Sequence, residues 1–175
     1  MSAASRMKKP GANEHAEYYG RYINLVPEGD IVATLEKQGA QFTAFLRAIP
    51  EARGDHRYAP DKWSVKEVLG HMIDGERVFA YRALRFARGD QQPLPGFEQD
   101  DYVKTAQHGR AKLADLIEEF ALVRRANVLM LRHLDEAAWL RRGTASGYEI
   151  SVRALAYVLA GHVLHHEKVL REKYL

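Results

Sequence analysis

Three histidines in this chain have the type and spacing to do metal chemistry. His162 and His166 stand four residues apart, a spacing that places two imidazoles on one face of a helix, about one turn apart. A helix offers two nitrogen ligands to one divalent ion in this way. Both fall between Leu155, Leu159, Val163 and Val169, so the face that carries them is apolar and should point into a core. His165 offers an i, i+3 alternative to His166, nearer the polar flank. His71, far upstream, sits at the edge of a second apolar stripe, one turn after Val68. It lies about 10 Å from a helix start at Ser64, and His166 lies about 10 Å from a helix end near Lys173. In antiparallel neighbours those are the same level. Three neutral imidazoles with no fourth protein ligand leave an open coordination position, as catalytic sites do. Zinc suits such a set best; nickel, manganese and iron are the alternatives.

Four segments must position these side chains, and each reads as an amphipathic helix. The first spans about 30–49, with Asp30 as N-cap, Ile31, Leu35, Phe42, Phe45 and Leu46 in its stripe, and Pro50 at its end. Ser64-Val65-Lys66-Glu67 is a capping box that opens the second, which runs to about Arg88 before Gly89. The third covers about 110–134 and the fourth 151–173. No stretch alternates with period two long enough to predict a sheet. Four helices of about 20 residues specify an all-α four-helix bundle. Short connections let helices one and two, and three and four, lie antiparallel. The link from Gly89 to Gly109, with Pro93, Pro95, Gly96 and Phe97, is long enough to travel a helix length. Such a crossover makes helices two and three parallel and helix four antiparallel to helix two, and its length suggests that it borders the pocket. Residues 1–175 then form one domain, with 1–27 as a lead-in.

The remaining polar residues carry weaker signals. Glu76 falls mid-stripe, well round the helix from His71, and reads as a buried, arginine-paired carboxylate rather than a ligand. Glu167, His15, His56, His108 and His133 read as solvated. Trp63 and Trp139 read as plugs at the bundle ends, and Tyr157, Asn127, Asp100 and Asp101 as residues that could support a site or touch substrate. The absence of cysteine removes disulfides, a thiolate nucleophile and thiolate metal sites, and is compatible with a cytoplasmic location. Phosphate-binding glycine loops, GxSxG and HExxH are missing. The pI near 9.1 is basic, but 26 Lys plus Arg are interspersed with 23 Asp plus Glu, so no nucleic-acid partner is expected. Ala154–Leu164, the longest apolar run, contains Gly161 and His162 and is too short for a membrane span. Met1–Gly11 lacks the apolar stretch of a secretory signal.

At this point two motifs resemble those of the DinB-like (DinB/YfiT-like) family of metal-dependent proteins. Lys62-Trp63-Ser64-Val65-Lys66-Glu67-Val68-Leu69-Gly70-His71 is similar to its W-S-x-x-E-x-x-x-H opening of the second helix, and Gly161-His162-Val163-Leu164-His165-His166 to its G-H-x-x-H-H segment in the fourth. Trp139 and Gly147 sit where that family has a tryptophan and a turn glycine, and Tyr18–Ile23 with Leu25–Asp30 resemble the lead-in of one of its subgroups. The resemblance implies the crossover bundle and a metal site at His71, His162 and His166. The activities it implies vary. They include S-transfer with bacillithiol, mycothiol or glutathione, maleylpyruvate isomerisation and hydrolysis. The expectation is therefore a metal-dependent hydrolase or thiol-dependent S-transferase, acting on a small molecule and in some cases using a low-molecular-weight thiol. The competing expectation is a non-catalytic, stress-associated metal-binding bundle that acts as a homodimer, with Val78, Phe86 and Val128 available for an interface.

Overall fold

A computed structural model describes residues 4–175. Its elements are α1 (Glu17–Ile23), α2 (Ile31–Arg47), α3 (Val65–Ala87), α4 (Gln99–Ala106), α5 (Leu113–Arg132), α6 (Glu136–Leu140), β1 (Arg142–Ala145), β2 (Tyr148–Ser151) and α7 (Val152–Val169), the last running into a π-helical turn at Leu170–Tyr174. The four expected helices are α2, α3, α5 and α7, with ends shifted by one to four residues. Their starts are chemically marked. Asp30 accepts the backbone N–H of Val32 at 3.0 Å. Ser64 and Glu67 exchange both bonds of the capping box, at 3.2 and 2.7 Å, and Ser151 accepts from Ala154 at 3.0 Å. Each cap satisfies an N–H that the first helical turn leaves without a partner.

Two core clusters fix the helix directions. One joins the C-terminal half of α2 (Phe42, Leu46) to the N-terminal halves of α3 (Val65, Leu69) and α5 (Leu116, Phe120) and the C-terminal half of α7 (Val163). The other joins the opposite ends, through Ile31 and Leu35, Ala83 and Phe86, Val128 and Leu131, and Leu155 and Leu159. Thus α3 and α5 run parallel, as the crossover requires, and α7 runs antiparallel to α3. The connected pairs are antiparallel but not strong neighbours. Instead α2 and α3 each pack on α5 and α7, because the apolar stripes meet across the bundle in that order. Phe86 and Val128 are buried in this core, so neither is available to the interface expected of them.

The segments between the helices hold structure that the pattern of apolar residues did not predict. In place of a plain loop, β1 and β2 form an antiparallel hairpin closed at Ser146 and Gly147, both with positive φ (53° and 82°). Four-residue strands are too short to show a period of two. The crossover adds its own contact, Leu94 bonding to Thr144 and Ser146 at 2.9 and 3.1 Å, and then folds as α4. No helix of the described residues is long and apolar enough to cross a membrane.

Candidate metal centre

The capping box sets the phase of α3 and so places His71 on its inner face, two turns in. The Ser151 cap does the same for α7 and its histidines. The antiparallel contact of α3 with α7 then brings His71, His162 and His166 together, with their ligand nitrogens all within 4.8 Å of one another. The Nε2 of His162 lies 3.0 Å from that of His71 and 3.1 Å from that of His166. Nitrogens about 2.0–2.1 Å from a shared ion stand at nearly this mutual separation. His165 is not in the converging set. Its ring lies edge-on to those of His166 and Tyr22. Among the described residues no carboxylate joins the three imidazoles.

Two glycines shape the surroundings of His162, one by making room for its ring and one by admitting the backbone of Tyr22. A Cβ on Gly75 of α3 would stand 3.0 Å from the Cε1 of His162, and one on Gly161 would stand 2.1 Å from the carbonyl oxygen of Tyr22. The second approach lets α1 close over α7, with the Tyr22 ring edge-on to His162 at 5.4 Å. Phe79 flanks the same imidazole at 5.9 Å. Trp63, expected to plug the bundle end, instead lies against His71 with ring centroids 4.9 Å apart. Its place one residue before the helix cap was the signal for this, since the first turn of α3 leads directly to His71.

Burial governs the protonation of the cluster. His71 is pushed down to about 4, first by desolvation and then by the neighbouring His165. His162 and His166 lie well below the ordinary value, again through burial first and then through the other histidines. At neutral pH all three are free bases, the form that binds a metal ion.

One step further into the bundle, Glu76 is the buried, arginine-paired carboxylate that was expected. Arg124 donates to it from Nε at 3.0 Å and Nη2 at 2.5 Å. It also bonds Gln38 Oε1 at 2.8 Å and the Leu159 carbonyl at 3.2 Å. Gln38 donates to the Ala160 carbonyl at 2.9 Å, and Asn127 to Glu76 at 3.0 Å. This network ties α2, α3, α5 and α7 together directly beneath the histidines. Tyr157, by contrast, is buried with its hydroxyl 3.4 Å from the Gly29 carbonyl and takes no part in the cluster.

A cleft of about 340 Å³ opens on His165 and His166 and is walled by Tyr58, Trp63, Asp100 and Tyr174. Asp100 belongs to α4, so the crossover does border it, while Phe97 packs on Phe79 at 6.5 Å. Two larger hollows, about 440 and 490 Å³, lie along α2 and α5 and touch none of the histidines in the cluster. Of the histidines expected to be solvated, only His133 is fully exposed. His108 fills a notch over Gly70, where a Cβ would stand 2.2 Å from its ring, and approaches Asp74 at 3.9 Å. His56 lies edge-on to Tyr174, and His15 donates to the Ala16 carbonyl at 2.8 Å. Glu167 is half-buried and pairs with Arg171 at 2.7 Å.

Solved structures share this arrangement of helices. YfiT from Bacillus subtilis, described as a probable metal-dependent hydrolase with an unusual four-helix bundle topology, superposes with a TM-score of 0.69 at 14% identity, covering 93% of this chain and 91% of its own. A mycothiol-dependent maleylpyruvate isomerase superposes with a TM-score of 0.67 at 13% identity; 82% of this chain covers 61% of that longer enzyme. At such identities the likeness is one of fold. No curated protein sequence matches the chain. The sequence pattern of the DinB superfamily matches residues 34–170, which hold all four bundle helices except the first three residues of α2. On that match the chain belongs to the DinB superfamily.

Proposed function

We propose that His71, His162 and His166 hold one divalent metal ion and that the protein is a metal-dependent enzyme acting on a small molecule. The observation that carries this reading is the convergence of three neutral imidazoles, two buried and that of His166 half-buried, with no carboxylate beside them among the described residues. A bound ion would supply a Lewis acid able to bring the pKa of a water or a thiol close to neutrality. The first choice makes the protein a hydrolase, the second an S-transferase using a low-molecular-weight thiol. The two structural neighbours, one described as a probable hydrolase and one as mycothiol-dependent, support both branches. Zinc fits three nitrogens and an open position best, with nickel, manganese and iron as alternatives.

The chain's own residues prepare this site. Tyr22, Phe79 and Trp63 pack the imidazole rings into fixed orientations and keep bulk water from their inner side. His166 borders the cleft, so a reactant reaches the cluster from the side of α4 and Trp63. To test the reading, metal-loaded protein would be assayed for ester hydrolysis and for consumption of mycothiol, bacillithiol or glutathione with an electrophile. Turnover that disappears in His166→Ala supports it; stoichiometric metal without turnover on any of these favours a metal-binding bundle. That second reading, with a homodimer, has one observation behind it: Leu122 and Leu129 of α5 are 61% and 41% exposed, two turns apart on one face.

A further inference from the structure

Arg21 of α1 stands beside the histidines without a carboxylate to neutralise it. Its guanidinium lies over the rings of Tyr18 and Tyr22, 3.9 and 4.7 Å from their centroids. It donates to the Tyr22 hydroxyl at 2.9 Å and also to that of Tyr18. Tyr22 in turn touches His162 and His165, with ring centroids 5.4 and 5.7 Å apart. Among the described residues no Asp or Glu pairs with Arg21. The cleft that opens on His165 and His166 is lined by Asp61, which Lys62 holds at 3.2 Å, and by Asp100.

We propose that Arg21 binds an anionic group, a carboxylate or a phosphate, on a substrate whose reacting end lies at His71, His162 and His166. This rests on the reading of the cluster as a metal centre and adds the substrate's charge and the direction in which it lies. A guanidinium presents paired donors that match an oxyanion, and the two tyrosines already hold it in place, so little side-chain freedom is lost on binding. Asp100 would repel the same anion from its own side of the cleft. Arg21 lies in the lead-in, ahead of the residues matched by the family pattern.

The test is calorimetric titration of the full chain, metal-loaded and metal-stripped, with phenylacetate, benzylphosphonate and the neutral phenylacetamide, in wild type, Arg21→Met and Arg21→Lys. Phenylacetate or benzylphosphonate should bind more tightly than the amide. Arg21→Met should weaken the preferred anion about fivefold, the scale of one accessible charge pair, and leave the amide unchanged. Arg21→Lys should retain part of the preference, and the anion most affected identifies the group recognised. An anion-to-amide ratio identical in wild type and Arg21→Met overturns the proposal. The stripped arm separates the two readings: Arg21-dependent anion preference in a protein that takes up no metal refutes the metal centre alone, and metal uptake with a ratio indifferent to Arg21 refutes this proposal alone.

Discussion

Arg124→Met removes the guanidinium that holds Glu76 beneath the histidines. Both side chains are almost fully buried, at 3% and 2% exposure. The methionine keeps an apolar stem over Gly39, whose missing Cβ is what admits Arg124 there; a Cβ would stand 2.8 Å from its Cγ. What is lost is every bond from the guanidinium. The Glu76 carboxylate keeps only Asn127, and Gln38 Oε1 and the Leu159 carbonyl lose a donor. Leaving one partner of a buried pair uncompensated costs about 3–5 kcal/mol. For a chain of this size each kcal/mol moves the midpoint by about 2–4 °C, so the fall should be roughly 6–20 °C. Urea and thermal unfolding of the metal-free protein measure it. Adding Glu76→Gln removes the stranded charge while Asn127 can still bond the new amide, so the double variant should recover a large part of the loss. A single-variant loss below about 1 kcal/mol, or a double variant no better than the single, would refute the reasoning.

Two further outcomes follow from the same geometry. Gly161→Ala places a methyl 2.1 Å from the Tyr22 carbonyl oxygen, so α1 must lift from α7; hydrogen exchange should show Tyr22 and Ile23 deprotected, and metal affinity should fall, whereas an unchanged exchange pattern would show that α1 does not depend on this contact. Burial holds His71 at about 4 and His162 and His166 well below their ordinary value, so the unfolded chain binds more protons than the folded one below pH 6.5. Stability of the metal-free protein should therefore be level above about pH 7 and decline from 6.5 toward 4, by up to ~1.4 kcal/mol per pH unit for each histidine. Denaturation curves that coincide at pH 6.5 and 5 would contradict burial of the three imidazoles.

The long helices and the histidine cluster were legible because each rests on a repeated or chemically specific signal. Apolar residues recur over five or more turns in α3, and Ser64 with Glu67 marks its start to the residue. The i, i+4 pair in an apolar stripe fixes two of the clustered histidines, and matching heights fix the third. Which helices adjoin was not legible, since one stripe does not say which other stripe it meets; α2 and α3 proved to be diagonal. α4 was hidden because Val103 is its one buried residue, and the hairpin because four residues carry too little pattern. His108, Trp63 and Tyr22 were misread or unread. His108 and Tyr22 act through contacts distant in sequence, with Gly70 and His162, whereas Trp63 meets His71 only two turns along the helix that it precedes.

The most direct test of the account is the metal content of untagged protein by mass spectrometry, after purification and after reloading with zinc, nickel, manganese or iron, with His162→Ala alongside and its fold checked by near-ultraviolet circular dichroism. About one equivalent of metal in the wild type, absent from a folded His162→Ala, is the predicted result. No metal in either protein after reloading, or equal metal in both, would contradict a centre built on His71, His162 and His166.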